Sequence, residues 1–203
     1  MNVLRVIANP KPVEQSASLK IEAAFMAALQ QKHPDAQVTT INVFQDDVPQ
    51  LDALLLPAFF GAPPANAEIE RRRDRQRELL AMFLAADLVV IASPVWNFNG
   101  PPQLKAFIDA IMVAGKTFKY TANGPIGLVP EKKVVVCYAS GMLYDHGQPP
   151  QQTLTPMLTT QLGFMGITNV TLIGAQGQGA GREKAAATLA AAIEKAQAAA
   201  AQF

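Results

Sequence analysis

The residues best suited to chemistry lie in one short run, Pro94-Val95-Trp96-Asn97-Phe98-Asn99. It follows the apolar segment Leu88-Val89-Val90-Ile91-Ala92 and precedes a segment of helical period. A turn between a strand and a helix needs no Trp, no Phe and no pair of Asn side chains. A flat aromatic ligand uses all of them, because apolar groups hold its faces while amides and backbone groups meet its polar rim. Two further strand exits carry small or polar residues. Ala8-Asn9-Pro10 with Ser16-Ala17-Ser18 offers hydroxyls, N–H groups and a helix N-terminus, which together can bind a terminal phosphate without a metal. The other reading of Ser18 is a plain helix N-cap. Ala139-Ser140-Gly141-Met142-Leu143-Tyr144 is a turn of the same kind. If their strands share a sheet, the three exits converge on one crevice at the carboxyl ends of the strands.

Other chemistries find no support. Gly115-Lys116-Thr117 imitates the end of a P-loop, but Ala110 stands where the first glycine belongs and a helix precedes it. Gly174, Gly177, Gly179 and Gly181 lack dinucleotide-fingerprint spacing, and no strand follows them, so they read as a mobile connector. His33 and His146 are the only histidines and neither has metal-ligand spacing, so no metal is expected. His33 reads as a solvated helix end, and His146 as either a surface residue or part of the site. Cys137 sits in the apolar run 134–138, where a buried strand residue is expected rather than a nucleophile. The chemistry must then come from a bound cofactor.

The elements that position these loops follow from periodicity. Val3 to Ala8, Val38 to Phe44, Leu88 to Ala92, Lys133 to Tyr138 and Val170 to Ile173 read as strands. Helices are expected from near Leu19 to His33-Pro34, through the charged run from Glu68, and over 103–114, 155–164 and 182–200. Residues 115–128 carry Asn123-Gly124-Pro125 and read as a hairpin or an extended excursion. Strands that are unbroken apolar runs, alternating with helices, give an α/β doubly wound sheet of five parallel strands, order 2-1-3-4-5, with helices on both faces. Residues 1–203 are expected to form a single domain with an insertion at about 45–66. That insertion combines Pro49, Pro57, Pro63 and Pro64 with Leu51, Leu54, Leu55, Leu56, Phe59 and Phe60. It packs on a ligand or another subunit, or folds back on its own domain.

Half of the 203 residues are apolar, only 16% are charged and the net charge is +1. Nucleic acid is not an expected partner at that charge, and the low charge favours an oligomer. Five arginines between Arg71 and Arg77 alternate with Glu68, Glu70, Asp74 and Glu78, a spacing for ion pairs along a solvated helix face, with Glu68–Arg72 and Asp74–Arg77 as pairs. One cysteine excludes an internal disulfide, and the N-terminus enters a strand at once. A cytoplasmic protein with neither signal peptide nor membrane span is expected.

At these loops the chain resembles the FMN-dependent NADH-azoreductases of the flavodoxin-like NAD(P)H:quinone oxidoreductase family. The resemblance is carried by 94–99 with Gln103-Leu104-Lys105, by the run Ala114 to Leu128, and by Leu162-Gly163-Phe164-Met165-Gly166-Ile167. It implies non-covalent FMN, NADH or NADPH as donor, and a quinone or azo compound as acceptor in a ping-pong cycle. It implies that Ser16, Ala17 and Ser18 surround the FMN phosphate, with Asn9 near a position where the family often has serine. Pro94, Val95, Trp96 and Phe98 would flank the flavin ring, Asn97 would meet one polar edge, and Ala139, Ser140, Gly141 and Met142 the other. Tyr144 occupies a site-facing position where some relatives carry histidine. Phe60 and Phe164 match positions that cover flavin or substrate in a homodimer with sites at its interface. Tyr120 joins them on the substrate side, and Tyr120 or Tyr144 can assist protonation. No side chain is needed as the catalyst itself. The chain departs from the family pattern at Asn9-Pro10-Lys11-Pro12, where serines are common, at Met142, which adds bulk, and in the apolar stretch 54–60. A flavodoxin-type FMN electron carrier is the alternative, against which the neutral charge and long apolar insertion argue.

Overall fold

Unbroken apolar strands need cover on both faces, and the chain supplies it by returning through a helix after each one. The computed structural model of the protein describes residues 1–144 and 151–203. In chain order it runs β1 (Asn2–Ile7), α1 (Ala17–Lys32), β2 (Gln37–Asn42), α2 (Leu55–Phe59), α3 (Ala67–Ala85), β3 (Leu88–Val95), α4 (Pro102–Ile111), β4 (Phe118–Thr121), β5 (Gly124–Gly127), β6 (Lys133–Ser140), α5 (Leu154–Phe164), β7 (Asn169–Ala175) and α6 (Arg182–Ala200). Five strands form a parallel sheet in the order β2-β1-β3-β6-β7, which is the expected 2-1-3-4-5 once the separate antiparallel hairpin β4–β5 is set aside.

Alternation along each strand divides the core into two layers. Leu4, Val6, Val89, Ile91, Val134 and Val136 face α3, α4 and α5, where Leu79, Phe83, Leu104, Phe107, Leu158 and Leu162 meet them. Val3, Leu88, Val90, Val135, Cys137 and Ile173 face α1 and α6, against Ile21, Phe25 and Leu29 and the small side chains of Ala192, Ala196 and Ala199. Arg5 points into this second layer, where its guanidinium donates to the fully buried Glu22 carboxylate of α1 at 2.6 and 2.7 Å. The hydrogen bonds to Glu22 hold the Arg5 pKa above its ordinary value. This two-pronged pair ties α1 to β1 and so fixes where the helix begins.

The insertion is less irregular than expected. Leu55 and Ala58 of α2 are buried with Ile69 of α3, so part of it folds onto its own chain. Leu54, Leu56 and Phe60 point outward, with Phe60 74% exposed. The expected solvated arginine face also has a second task. Arg77 pairs with Asp74 as expected, but Glu68 pairs with Arg71, and Arg72 turns to Asp52 of the insertion at 2.9 Å. Arg71 reaches Asp47 at 2.6 Å, while Arg72 and Arg75 donate to the carbonyls of Gln50 and Asp47.

Candidate functional site

The crevice arises from unequal strand lengths. β1 pairs with β3 only as far as Ile7 opposite Ala92, and the Ala8 N–H then donates to the Ala92 carbonyl at 2.8 Å. β3 continues through Ser93, Pro94 and Val95, which pair on their other side with Tyr138, Ala139 and Ser140 of β6. Pro94 has no N–H to leave unpaired on the open side, which suits it to this position. The result is a cleft of about 320 Å³ at the topological switch point, lined by Asn9, Lys11, residues 15–18, Pro94, Val95, Trp96, Ala139, Ser140, Gly141 and Gln178.

One end of the cleft is polar and cross-bonded. Pro12 leads into a single turn over Val13–Gln15, which delivers Ser16 in an extended conformation at the N-cap of α1. The Ser16 hydroxyl accepts from the Leu19 N–H at 3.3 Å, so the cap is Ser16 rather than Ser18. Ser18 lies one residue inside the helix with its hydroxyl turned to the same cluster. Asn9 Nδ2 donates to Ser16 Oγ at 2.8 Å and to Ser18 Oγ at 3.3 Å; the two oxygens are 3.2 Å apart. Asn9 Oδ1 accepts from the Lys11 N–H at 3.0 Å, and all three side chains are buried. Counting protons shows what is free. One hydroxyl hydrogen serves the Ser16–Ser18 contact and the other remains to be given to a ligand. The N–H groups of Ala17 and Ser18, the first of α1, have no intrahelical acceptor. An anion at this point therefore meets unspent donors at the positive end of a 16-residue helix.

The other end carries the aromatic run. Trp96 and Asn99 exchange two backbone hydrogen bonds, 2.7 and 3.0 Å, across a tight turn. Its central residues, Asn97 (φ 46°) and Phe98 (φ 72°), are both left-handed. Asn tolerates that region, but a bulky residue there costs about 1–2 kcal/mol. The turn is held by the Phe98 carbonyl, which accepts from the Thr153 N–H at 2.6 Å and hydroxyl at 3.1 Å. Strain of this kind, kept in place by surrounding bonds, marks a site that needs its geometry. Trp96 stands 6.2 Å from the Phe44 ring, and Phe98 stands 6.3 Å from Tyr144. Pro94, Val95 and Trp96 form a wall of the cleft, whereas Asn97 and Phe98 lie at the turn tip beyond it. Ala139, Ser140 and Gly141, beside Pro94 and Val95 in the sheet, also line the cleft; Met142 and Tyr144 follow along the same exit without lining it.

The glycine-rich segment after β7 is part of this wall, not a mobile connector. The N–H groups of Gly177, Gln178 and Gly179 donate to the carbonyls of Met142, Ser140 and Gly141 at 2.9–3.0 Å, and Gln176 Oε1 accepts from the Tyr144 N–H at 2.7 Å. Gly177 has φ +75°, and a Cβ on Gly179 would stand 3.2 Å from the Gly141 carbonyl oxygen. The glycines are therefore required for one loop to lie against the other. Gln178 is thereby brought into the cleft, where Lys11 and Gln15 also belong. None of these three stands out in sequence. The usable signals were the lone charge between the two prolines and the polar residue between two glycines.

Phe60, Tyr120 and Phe164 are brought together elsewhere. With Leu51, Phe59, Met112 and Phe118 they line an apolar hollow of about 480 Å³ that shares no residue with the cleft. The Phe118 ring lies tilted at 4.7 Å from Phe164 and edge-on at 5.6 Å from Tyr120.

The remaining candidates are structural. Thr117, at the end of the false P-loop, donates to the Ile111 carbonyl at the end of α4. His33 forms the C-cap of α1 and is half-buried. Cys137 is fully buried, and desolvation pushes its thiol pKa up, away from the reactive thiolate. His146 lies outside the described residues. Among the described residues no cluster of His, Cys, Asp or Glu could hold a metal, and no helix is long and apolar enough to cross a membrane.

Known proteins share this chain's sequence and fold. Residues 1–200 match the family described as having a flavodoxin-like fold. The chain is 38% identical to an FMN-dependent NADH:quinone oxidoreductase of Brevibacillus brevis, over 96% of this chain and 95% of that one. It is 47% identical to one from Paraburkholderia phymatum, over 83% and 84% of the two chains. The crystal structure of an FMN-dependent NADH-azoreductase from Bacillus anthracis in complex with FMN superposes with a TM-score of 0.90 at 28% identity, covering 99% of this chain and 98% of that one. The chain belongs to the flavodoxin-like family, among its FMN-dependent NADH:quinone oxidoreductases and azoreductases.

Proposed function

We propose that the chain is an FMN-dependent NAD(P)H oxidoreductase, acting on quinones and azo compounds by a ping-pong cycle as a cytoplasmic homodimer. The observation that carries this reading is the cleft itself, with spare donors at one end and an apolar, aromatic wall at the other. Bound FMN would supply the redox chemistry, taking a hydride from NADH or NADPH and passing two electrons to the acceptor after the nicotinamide has left. The protein's part is position, polarity and exclusion of water.

Ser16, Ala17 and Ser18 would hold the phosphate through hydroxyl and N–H donors, with Asn9 beside them orienting the two serines. Pro94, Val95, Trp96 and Phe98 would hold the ring, and the Asn97 amide would meet its polar rim. Ala139, Ser140, Gly141 and Met142 offer backbone groups at the other edge, kept in place by the 176–179 loop. Tyr144, beside Phe98, and Tyr120 each present a phenol that can hand on a proton to the reduced acceptor. The exposed rings of Phe60 and Tyr120, with Phe164, suit a flat acceptor or the nicotinamide. Because their hollow is separate from the chain's own cleft, this reading assigns it to the partner's cleft across a dimer interface. Residues 1–203 then act as a single FMN-binding domain with an insertion at about 45–66.

Steady-state turnover tests the proposal. The purified protein loaded with FMN should oxidise NADH or NADPH with a small quinone and no protein partner, giving parallel double-reciprocal lines. A protein that takes up FMN but passes electrons only to another redox protein would be a carrier instead.

A further inference from the structure

Among the described residues Lys11 is the only charged side chain lining the cleft, and its backbone is bonded to Asn9 of the Asn9–Ser16–Ser18 cluster. None of the ion pairs among the described residues engages it. Its backbone is fixed on both sides. Pro10 and Pro12 lock their own φ angles and restrict the residues before them, and the Lys11 N–H is held by Asn9 Oδ1 at 3.0 Å. The side chain thus leaves a rigid platform and is exposed at the mouth of the cleft.

Charge balance gives this position a purpose. A phosphate monoester carries about 1.5 to 2 negative charges at neutral pH. The helix terminus offers roughly half a positive charge, and the hydroxyls and amides beside it are neutral. About one negative charge is left without a counter-charge, and an unpaired ammonium stands beside it. We propose that Lys11 is a specificity-determining residue that makes the cleft select a flavin bearing a phosphate monoester over the same flavin without it. The assignment rests on the FMN reading above. In the same cleft, the buried cluster supplies hydrogen bonds that act at any ionic strength. Lys11 supplies a solvated, screenable attraction that acts only on a charged ligand.

Titrating the flavin-free protein with FMN and with riboflavin, at low and at high salt, tests this. Lys11→Gln should weaken FMN about tenfold at low salt, the scale of one charge-assisted hydrogen bond in partial contact with water. Riboflavin affinity should stay the same, Lys11→Arg should retain most of the FMN affinity, and salt should weaken FMN binding more in the wild type than in Lys11→Gln. An unchanged melting temperature of the flavin-free Lys11→Gln protein shows that the fold is intact. An unchanged ratio of FMN to riboflavin affinity in that variant overturns the role of Lys11 while leaving the FMN reading in place. A wild type that binds neither flavin overturns both.

Discussion

At the polar end of the cleft, Asn9, Ser16 and Ser18 are at most 4% exposed and bonded to one another, whereas in the hollow Phe60 and Tyr120 are 74% and 72% exposed. The two regions also differ in how they are held. The cleft is fixed from beneath by the Arg5–Glu22 pair and from the side by backbone bonds between the β6 and β7 exits. The hollow borrows one wall from an insertion that surface arginines pin to α3. Buried polar groups that bond one another and keep a donor to spare fix one geometry and suit one ligand chemistry. Exposed rings, Phe60 on the pinned insertion and Tyr120 on the β4–β5 hairpin, would suit many flat ligands and set no register. The contrast is what the proposed cofactor site and the proposed acceptor site would require of the same chain.

The largest effect expected from breaking this contrast is at Asn9. Asn9→Ala removes two bonds to the serines and one to the Lys11 N–H, and FMN affinity should fall by about 30- to 100-fold, the worth of one or two such bonds near a charged ligand. At saturating FMN the quinone KM should barely move, as steady-state kinetics would register. The reverse pattern is expected in the hollow. Phe60→Ala with Phe164→Ala should raise the quinone KM about tenfold through lost stacking and apolar contact. Flavin titration of that variant should match the wild type.

A smaller effect belongs to the wall between the two glycine-bearing loops. Gly179→Ala sets a Cβ 3.2 Å from the Gly141 oxygen, and the required adjustment should weaken FMN severalfold, about 1 kcal/mol. The smallest concerns the arginine clamp. Arg72→Ala should lower the thermal midpoint only slightly, yet speed amide exchange across 52–61, because a pair whose carboxylate is open to water orders a loop without stabilising the whole fold. Acid should act at the same place. The Asp52 carboxyl is held below its ordinary value of 3.8 by the Leu55 N–H first, then by Arg72 and the Leu54 N–H. A carboxyl depressed on folding contributes stability that is complete above its unfolded pKa and lost as pH falls through the folded one. Exchange in 52–61 should therefore rise only below about pH 4.

Sequence periodicity was enough for the fold, because a parallel sheet covered on both faces leaves long apolar runs that nothing else explains. The strand ends were less legible. β3 runs to Val95 and not to Ala92, since Ser93 and Pro94 look like turn residues until β6 is seen beside them. Pro94 to Trp96 were recognisable as wall residues because their size is wasted in a turn. The choice of Ser16 as the cap depends on the single turn before it, which local composition does not reveal. The Arg5–Glu22 pair and the contact of Gln178 with the cleft join residues far apart in the chain, and no local pattern marks either partner.

If the strand-exit cleft holds FMN through its buried hydroxyl cluster, flavin titration of the wild type against the Ser16→Ala, Ser18→Ala double variant will separate the two proteins. The wild type should take up one FMN per chain and quench its fluorescence, and the double variant should bind far more weakly while keeping its folded circular-dichroism spectrum. FMN uptake that is absent in the wild type, or equal in the two folded proteins, would contradict the claim.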